Sequence, residues 1–252
     1  MIIQKTSREI MLMREAGRIT GNALKAAGRA IQPGMSTKEL DLVIRRYIEG
    51  EGAKPSFLGL YGFKGSACIS INHQVIHGIP SKDVIMRSGD IVSVDVGAYI
   101  HGYHGDSAYT FACGEITPEA QRLLDTTRES LYLGIKQAVK GNRTGDIGHA
   151  IQKYVEARGY SVVREYTGHG VGASVHEDPG VPNYGTPHRG IRLEEGIIIA
   201  IEPMINEGRP GVRQLSDGWT VVTTDGKLSA HFEHTVAITA DGPVILTMPD
   251  PD

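Results

Sequence analysis

Apolar residues recur at helical spacing from residue 7 to 31, with Ile10, Met13, Ala16, Gly17 and Leu24 on one broad face. Pro33-Gly34 ends that pattern. Ser36-Thr37-Lys38-Glu39 then has the spacing of a capping box, and Leu40, Val43, Ile44, Tyr47 and Ile48 follow at helical period. After Gly50 a loop-like stretch runs through Lys64. Short apolar runs at Ala67–Ile71 and 91–96 read as strands, set apart by turns rich in Gly, Pro and Ser.

The second half repeats the plan. Thr117-Pro118 is a helix start, a capping residue followed by Pro at the first helical position. The spacing predicts a long helix to about Lys140, broken at Gly141-Asn142. A second helix is predicted over 146–158, ending at Gly159. Strand-like runs follow at 197–201 and 235–238.

The correspondence between the halves extends to single residues. Gly89 and Gly196 are each followed six positions later by an acid, Asp95 and Glu202, which the pattern puts at the end of an apolar strand. Asp106 and Glu233 each open a strand-like run, and His-Gly pairs occur at His77-Gly78 and His169-Gly170. This is the pattern of a duplicated helix-helix-strand unit, roughly 1–115 and 116–252, with a site where the copies meet. No linker or low-complexity segment separates them, so one α/β (α+β) domain covering 1–252 is expected.

Composition narrows the class. The chain has 252 residues, 40% hydrophobic and 22% charged, as in ordinary globular proteins. Its net charge of −3 offers no basic stripe for nucleic-acid phosphates. Charges interrupt the apolar residues of the N-terminus, unlike a signal peptide, and no run approaches the roughly 20 apolar residues of a membrane span. Cys68 and Cys113 are too few for a disulfide framework. A cytoplasmic protein with reduced thiols and no membrane partner is expected.

An acid in an apolar strand is costly when buried and unpaired. Each of the four acids alone is readily explained by a solvated strand end or an Arg partner. Four at matching places in two copies make that explanation weak. If they converge, mutual repulsion opposes assembly, and two divalent cations remove it. Four carboxylates, two cations and a bridging hydroxide sum to about −1, with neutral His169 adding nothing. Oxygen-rich ligation with one imidazole favours Mn, Fe, Co or Zn over Ca or Mg.

Several motifs resemble the methionine aminopeptidases. They are Asp95 with Asp106 eleven residues on, Thr167-Gly168-His169-Gly170-Val171-Gly172, His176-Glu177, Ile201-Glu202-Pro203 and Phe232-Glu233-His234-Thr235. Cys68-Ile69-Ser70-Ile71-Asn72 and Val75-Ile76-His77-Gly78-Ile79-Pro80 belong to the same set. The resemblance runs from about residue 7 to 245. With no N-terminal extension and no long insertion between His176 and Glu202, the chain is similar to the short bacterial type I form.

The resemblance implies a "pita-bread" α/β fold, two pseudo-symmetric halves around a curved antiparallel sheet flanked by helices. It implies a two-metal hydrolase removing the N-terminal methionine of nascent proteins when the second residue is small. Asp95 would chelate one metal, Asp106 and Glu233 would bridge both, and His169 and Glu202 would complete the other. His77 and His176 would contact the substrate amide and carbonyl, stabilising the oxyanion. Glu202 would also shuttle the proton. Phe63, Cys68 and Trp219 match pocket positions for the methionine side chain, although a lone Trp also suits plain core filling. Leu60 and Val175 stand where many relatives carry aromatic rings. A monomer working on nascent chains near the ribosomal exit tunnel is the implied setting.

His101 and His104 flank a Gly between Asp95 and Asp106; their spacing suits a helical metal pair, but the glycines favour loop residues. Two other readings stand beside the first. One is a proline-directed aminopeptidase or dipeptidase of the same fold, whose relatives usually carry a further N-terminal domain. The other is a non-catalytic binding module, whose relatives typically lose metal ligands.

Overall fold

Thr6 and Glu9 set the start of the first helix. The Thr6 hydroxyl accepts from the Glu9 backbone N–H while the Glu9 carboxylate accepts from the Thr6 N–H, a capping box that opens α1 (Ser7–Ala30). Ser36 and Glu39 do the same for α2 (Thr37–Gly50), as expected. Thr117 caps α3 (Pro118–Gln137), with Pro118 in the first turn, and α4 (Thr144–Glu156) follows. The computed structural model describes residues 1–251.

The strands, in chain order, are β1 (Lys54–Pro55), β2 (Ala67–Ile71), β3 (Gln74–Ile76), β4 (Ile91–Ile100) and β5 (Tyr103–Ala112) in the first half. After α4 come β6 (Ser161–Val162), β7 (Gly168–Gly170), β8 (Glu177–Val181), β9 (Ile198–Ile201) and β10 (Met204–Asn206). The chain closes with β11 (Val212–Gln214), β12 (Val221–Thr223), β13 (Ser229–His231), β14 (His234–Thr239) and β15 (Gly242–Ile245). Their pairing is antiparallel, and hydrogen bonding divides them into β1-β4-β2 with β5 on β4, then β13-β10-β6, β11-β12-β3 and β15-β14-β9-β7-β8.

One apolar core lies between α1, α2 and the β4 sheet, centred on Ile19, Leu40, Ile44, Val94 and Val96. A second lies between α3, α4 and the later strands, centred on Leu123, Ile147, Ile151, Ile199 and Val236. Helices thus cover the outside and leave the sheets to meet at the centre. That meeting is made by β5 and the residues around β13 and β14. Thr235 Oγ1 accepts from the Asp106 N–H at 3.1 Å and donates to the Asp106 carbonyl at 2.7 Å. The Glu233 N–H donates to the Ala108 carbonyl.

The long hairpin corrects one expectation. Asp95 lies inside β4, and Asp106 inside β5 opposite Gly97, so neither stands at a strand end. The turn is tighter than the polar sequence suggests: His101 and Gly102 both take left-handed backbone angles, φ 55° and 87°, and Tyr103 is already paired with Ile100. His104, expected in a loop, is a strand residue whose Nδ1 lies 2.8 Å from Ser56 Oγ. Gly105 lets this hairpin approach α1, since a Cβ there would come within 2.7 Å of the Gly17 backbone nitrogen.

Candidate metal centre and substrate cavity

A cavity of about 310 Å³ opens where the sheets meet. Asp95, Asp106, His169, Glu202 and Glu233 line it together, with His77 and His176 and with Phe63, Cys68 and Trp219. Each side chain arrives from a separate element. Asp95 comes from β4, Asp106 from β5 and His169 from β7; Glu202 follows β9 and Glu233 stands between β13 and β14. Ligand atoms of Asp106, His169 and Glu233 lie within 4.8 Å of one another. His169 Nε2 is 3.7 Å from Asp106 Oδ2 and 3.5 Å from Glu202 Oε1.

The carboxylates are held by their backbones and left bare at their tips. The Glu233 carbonyl accepts from Ser107 Oγ at 2.6 Å, and Asn183 Nδ2 donates to the Glu202 carbonyl at 3.0 Å. Yet Asp95 Oδ1, Asp106 Oδ1 and Glu233 Oε1 are buried with no hydrogen-bond partner among the described residues. Leaving such groups unpaired is costly. Burial pushes Asp95 up to about 7, against the pull of His231 and with Glu202 adding to the rise. Burial likewise takes Glu202 up to about 7. Asp106 and Glu233 are raised well above the usual carboxylate range by burial and then by the neighbouring acids. Four acids buried together, three of them with a bare oxygen, fit bound cations.

His169 completes the donor set. Its Nδ1 lies 2.9 Å from the Gly170 carbonyl, which only accepts, so Nδ1 carries the proton and Nε2 turns a lone pair to the acids. Burial keeps the ring's pKa below its usual value. That neutral tautomer is the one a metal needs.

His77 and His176 stand at the same cavity. His77 follows β3 with a left-handed backbone, φ 59°, and burial lowers it to about 4. Burial also lowers His176, whose ring centroid lies 4.5 Å from that of His169. Both are therefore neutral N–H donors at pH 7. The apolar side of the cavity is lined by Phe57, Leu60, Phe63, Cys68 and Trp219, and Val175 and Ile79 pack in the same apolar cluster. Trp219 meets Phe63 edge-on at 4.9 Å and is half-buried, so it is a wall of the cavity and not core filling.

Comparison with known proteins decides the family. The model of metallopeptidase family M24 matches residues 11–240. The chain belongs to that family.

Within the family, the chain is 54% identical to methionine aminopeptidase 1 of Bacillus subtilis (strain 168), covering 98% of this chain and 99% of that one. It is 53% identical to the methionine aminopeptidase of Clostridium perfringens over 98% and 99% of the two chains. The crystal structure of methionine aminopeptidase from Thermotoga maritima superposes with a TM-score of 0.97 at 45% identity, covering 98% of this chain and 100% of that one. The pita-bread α/β architecture implied by the family resemblance is therefore the fold of this M24 chain.

Sequence reasoning passed over three participants. His231 is buried beside Asp95 and Glu202, two residues before Glu233 in the chain. Lys5 pairs with Glu177, next to His176, from 172 residues away, which no local pattern reveals. Tyr61, at the cavity mouth, is exposed and parallel to the His176 ring within 15°.

Proposed function

We propose that this M24 metallopeptidase removes the N-terminal methionine from nascent polypeptides with a small second residue. The observation that carries the reading is the cavity itself, where five metal-type donors and two neutral imidazoles border an apolar wall. The activity named for relatives matched end to end at 53–54% identity supports it.

Asp95, Asp106, His169, Glu202 and Glu233 would hold two divalent cations, of Mn, Fe, Co or Zn. When bound, such a pair supplies Lewis-acid polarisation of the scissile carbonyl and a water acidified to near neutral pH. The remaining steps belong to the chain. Phe63, Cys68 and Trp219 take the methionine side chain and fix the peptide's register. His77 contacts the substrate amide, and His176 donates to the carbonyl oxygen as charge develops there. Glu202 accepts the proton of the attacking water and returns it to the leaving amine. The whole chain acts as one catalytic domain built from halves of about 1–115 and 116–252; two helices followed by strands in each half support this. The enzyme works as a cytoplasmic monomer on chains leaving the ribosomal exit tunnel, without sequence-specific nucleic-acid contacts, and co-sedimentation with translating ribosomes tests that setting.

A proline-directed peptidase of the same fold shares these donors but needs room for a prolyl ring beyond the scissile bond. Release of Met from Met-Ala-Ser, compared with cleavage of Xaa-Pro peptides, separates the two. At least a 100-fold preference for Met-Ala-Ser is expected, on the order seen when a fitted pocket is mismatched.

A further inference from the structure

One buried imidazole beside the acids stands outside the chemistry described so far. His231 is 2% exposed, and its Nε2 has no hydrogen-bond partner among the described residues. Its backbone is fixed on both sides by one hydroxyl: the His231 N–H donates to Thr110 Oγ1 at 2.9 Å, and Thr110 Oγ1 donates to the His231 carbonyl at 2.8 Å. Thr110 has a single hydroxyl proton, so Ser93 Oγ, 2.8 Å away, is the donor in their contact. The main chain is thereby fixed, and the ring it carries faces a carboxylate. His231 Nε2 lies 3.5 Å from Glu202 Oε2, while His169 Nε2 lies 3.5 Å from Glu202 Oε1. Glu202 therefore sits between two imidazoles, one at each oxygen.

We propose that His231 is a positioning residue for Glu202, its Nε2–H donating to Oε2 so that Oε1 stays turned to the side where His169 stands. This rests on the reading of Glu202 as a metal ligand. A carboxylate oxygen only accepts, so the nitrogen facing it must carry a proton for the contact to attract. The two imidazoles then play different parts, His169 presenting a lone pair and His231 an N–H. Without the donor, Glu202 keeps its place in the chain but loses the restraint on its carboxylate plane. Outer partners of this kind tune metal affinity and orient the ligand.

The test uses the full chain, stripped of metal and titrated with Mn by calorimetry, and kcat and KM for Met-Ala-Ser at saturating Mn. His231→Leu removes the donor; His231→Gln restores an N–H at similar reach. Expected for the Leu variant are about 10–100-fold weaker Mn binding and a kcat at least about tenfold lower, with KM little changed. The Gln variant recovers most of both. A folded Leu variant that binds Mn like the parent overturns the proposal, as does a folded Gln variant as impaired as the Leu one. If the Leu variant does not fold, histidine 15N spectra of the zinc-loaded parent decide instead. A proton on His231 Nε2 supports the role, and one on Nδ1 alone overturns it. Glu202→Gln is run alongside. Parental Mn affinity there removes the ligand reading and this inference with it; lost affinity there with parental affinity in His231→Leu removes the role of His231 alone.

Discussion

Lys5 Nζ lies 2.8 Å from Glu177 Oε2, and the two side chains are only 3% and 13% exposed. The pair ties the segment before α1 to the loop carrying His176. Glu177 also accepts from the Ser174 N–H at 3.1 Å, so one carboxylate braces that loop from both directions. Lys5→Met leaves the acid buried without its cation. A loss of about 3 kcal/mol, at the low end for a broken buried pair, is expected in urea unfolding. A fall of about tenfold or more in kcat/KM accompanies it, because His176 is no longer held in place. Unchanged stability and activity would show that the pair braces nothing.

The same pair sets an acid limb of stability. Burial works against the charged Glu177, but Lys5 and the backbone donors win and hold its pKa below the ordinary value of 4.5. A depressed native pKa contributes stability above the unfolded value, which is lost as pH falls through the native one. The parent should therefore lose stability below about pH 4.5 more steeply than Lys5→Met, as read from Tm against pH.

The metal-free centre predicts the opposite slope higher up. Asp95 and Glu202 are each raised to about 7, from 3.8 and 4.5. Between those limits the native chain binds more protons than the unfolded one, so stability falls as pH rises. Metal-stripped protein should show a lower Tm at pH 8 than at pH 5. Mn should raise Tm more at pH 8 and release protons on binding. A stripped protein equally stable at both values would mean that these acids are not burdened by burial.

Asp106→Asn separates binding from folding. Removing one charge from the crowded acids should raise the metal-free Tm at pH 8, since a buried charge without a partner is costly. The same change removes a proposed metal ligand, so kcat at saturating Mn should fall by at least about 100-fold. Glu233→Gln should behave likewise. A drop in both stability and activity would point to a structural role instead.

Phe63 and Trp219 make the apolar wall, and Phe63→Ala opens it. KM for Met-Ala-Ser should rise about tenfold, and the preference for Met over Leu should shrink by about 1–3 kcal/mol. Peptide kinetics on Met-Ala-Ser and Leu-Ala-Ser measure both. Val175 packs in the same apolar cluster as Phe63, 3% exposed, so Val175→Phe should push that cluster towards the pocket and raise KM without touching metal affinity.

Much of this was legible in the chain. Helix starts and stops follow from capping residues and Gly or Pro breaks, which act within a few positions. The acids announced themselves because a charge in an apolar strand needs a reason. The hairpin carrying Asp95 and Asp106 misled, since His101-Gly102-Tyr103-His104 looks like a polar loop; only His101 and Gly102 turn, while Tyr103 and His104 pair across the hairpin with Ile100 and Tyr99. Lys5 and Glu177 were hidden for another reason, being joined by tertiary packing across 172 residues of chain. The division into four sheets, with β12 pairing on β3, is equally non-local.

Ions bound per chain, counted as Mn is titrated into stripped protein while Met-Ala-Ser hydrolysis is followed, test the central reading most directly. Two ions per chain are expected, with activity rising as they bind and with Asp106→Asn holding fewer. Full turnover in parent protein holding no bound metal would contradict the account.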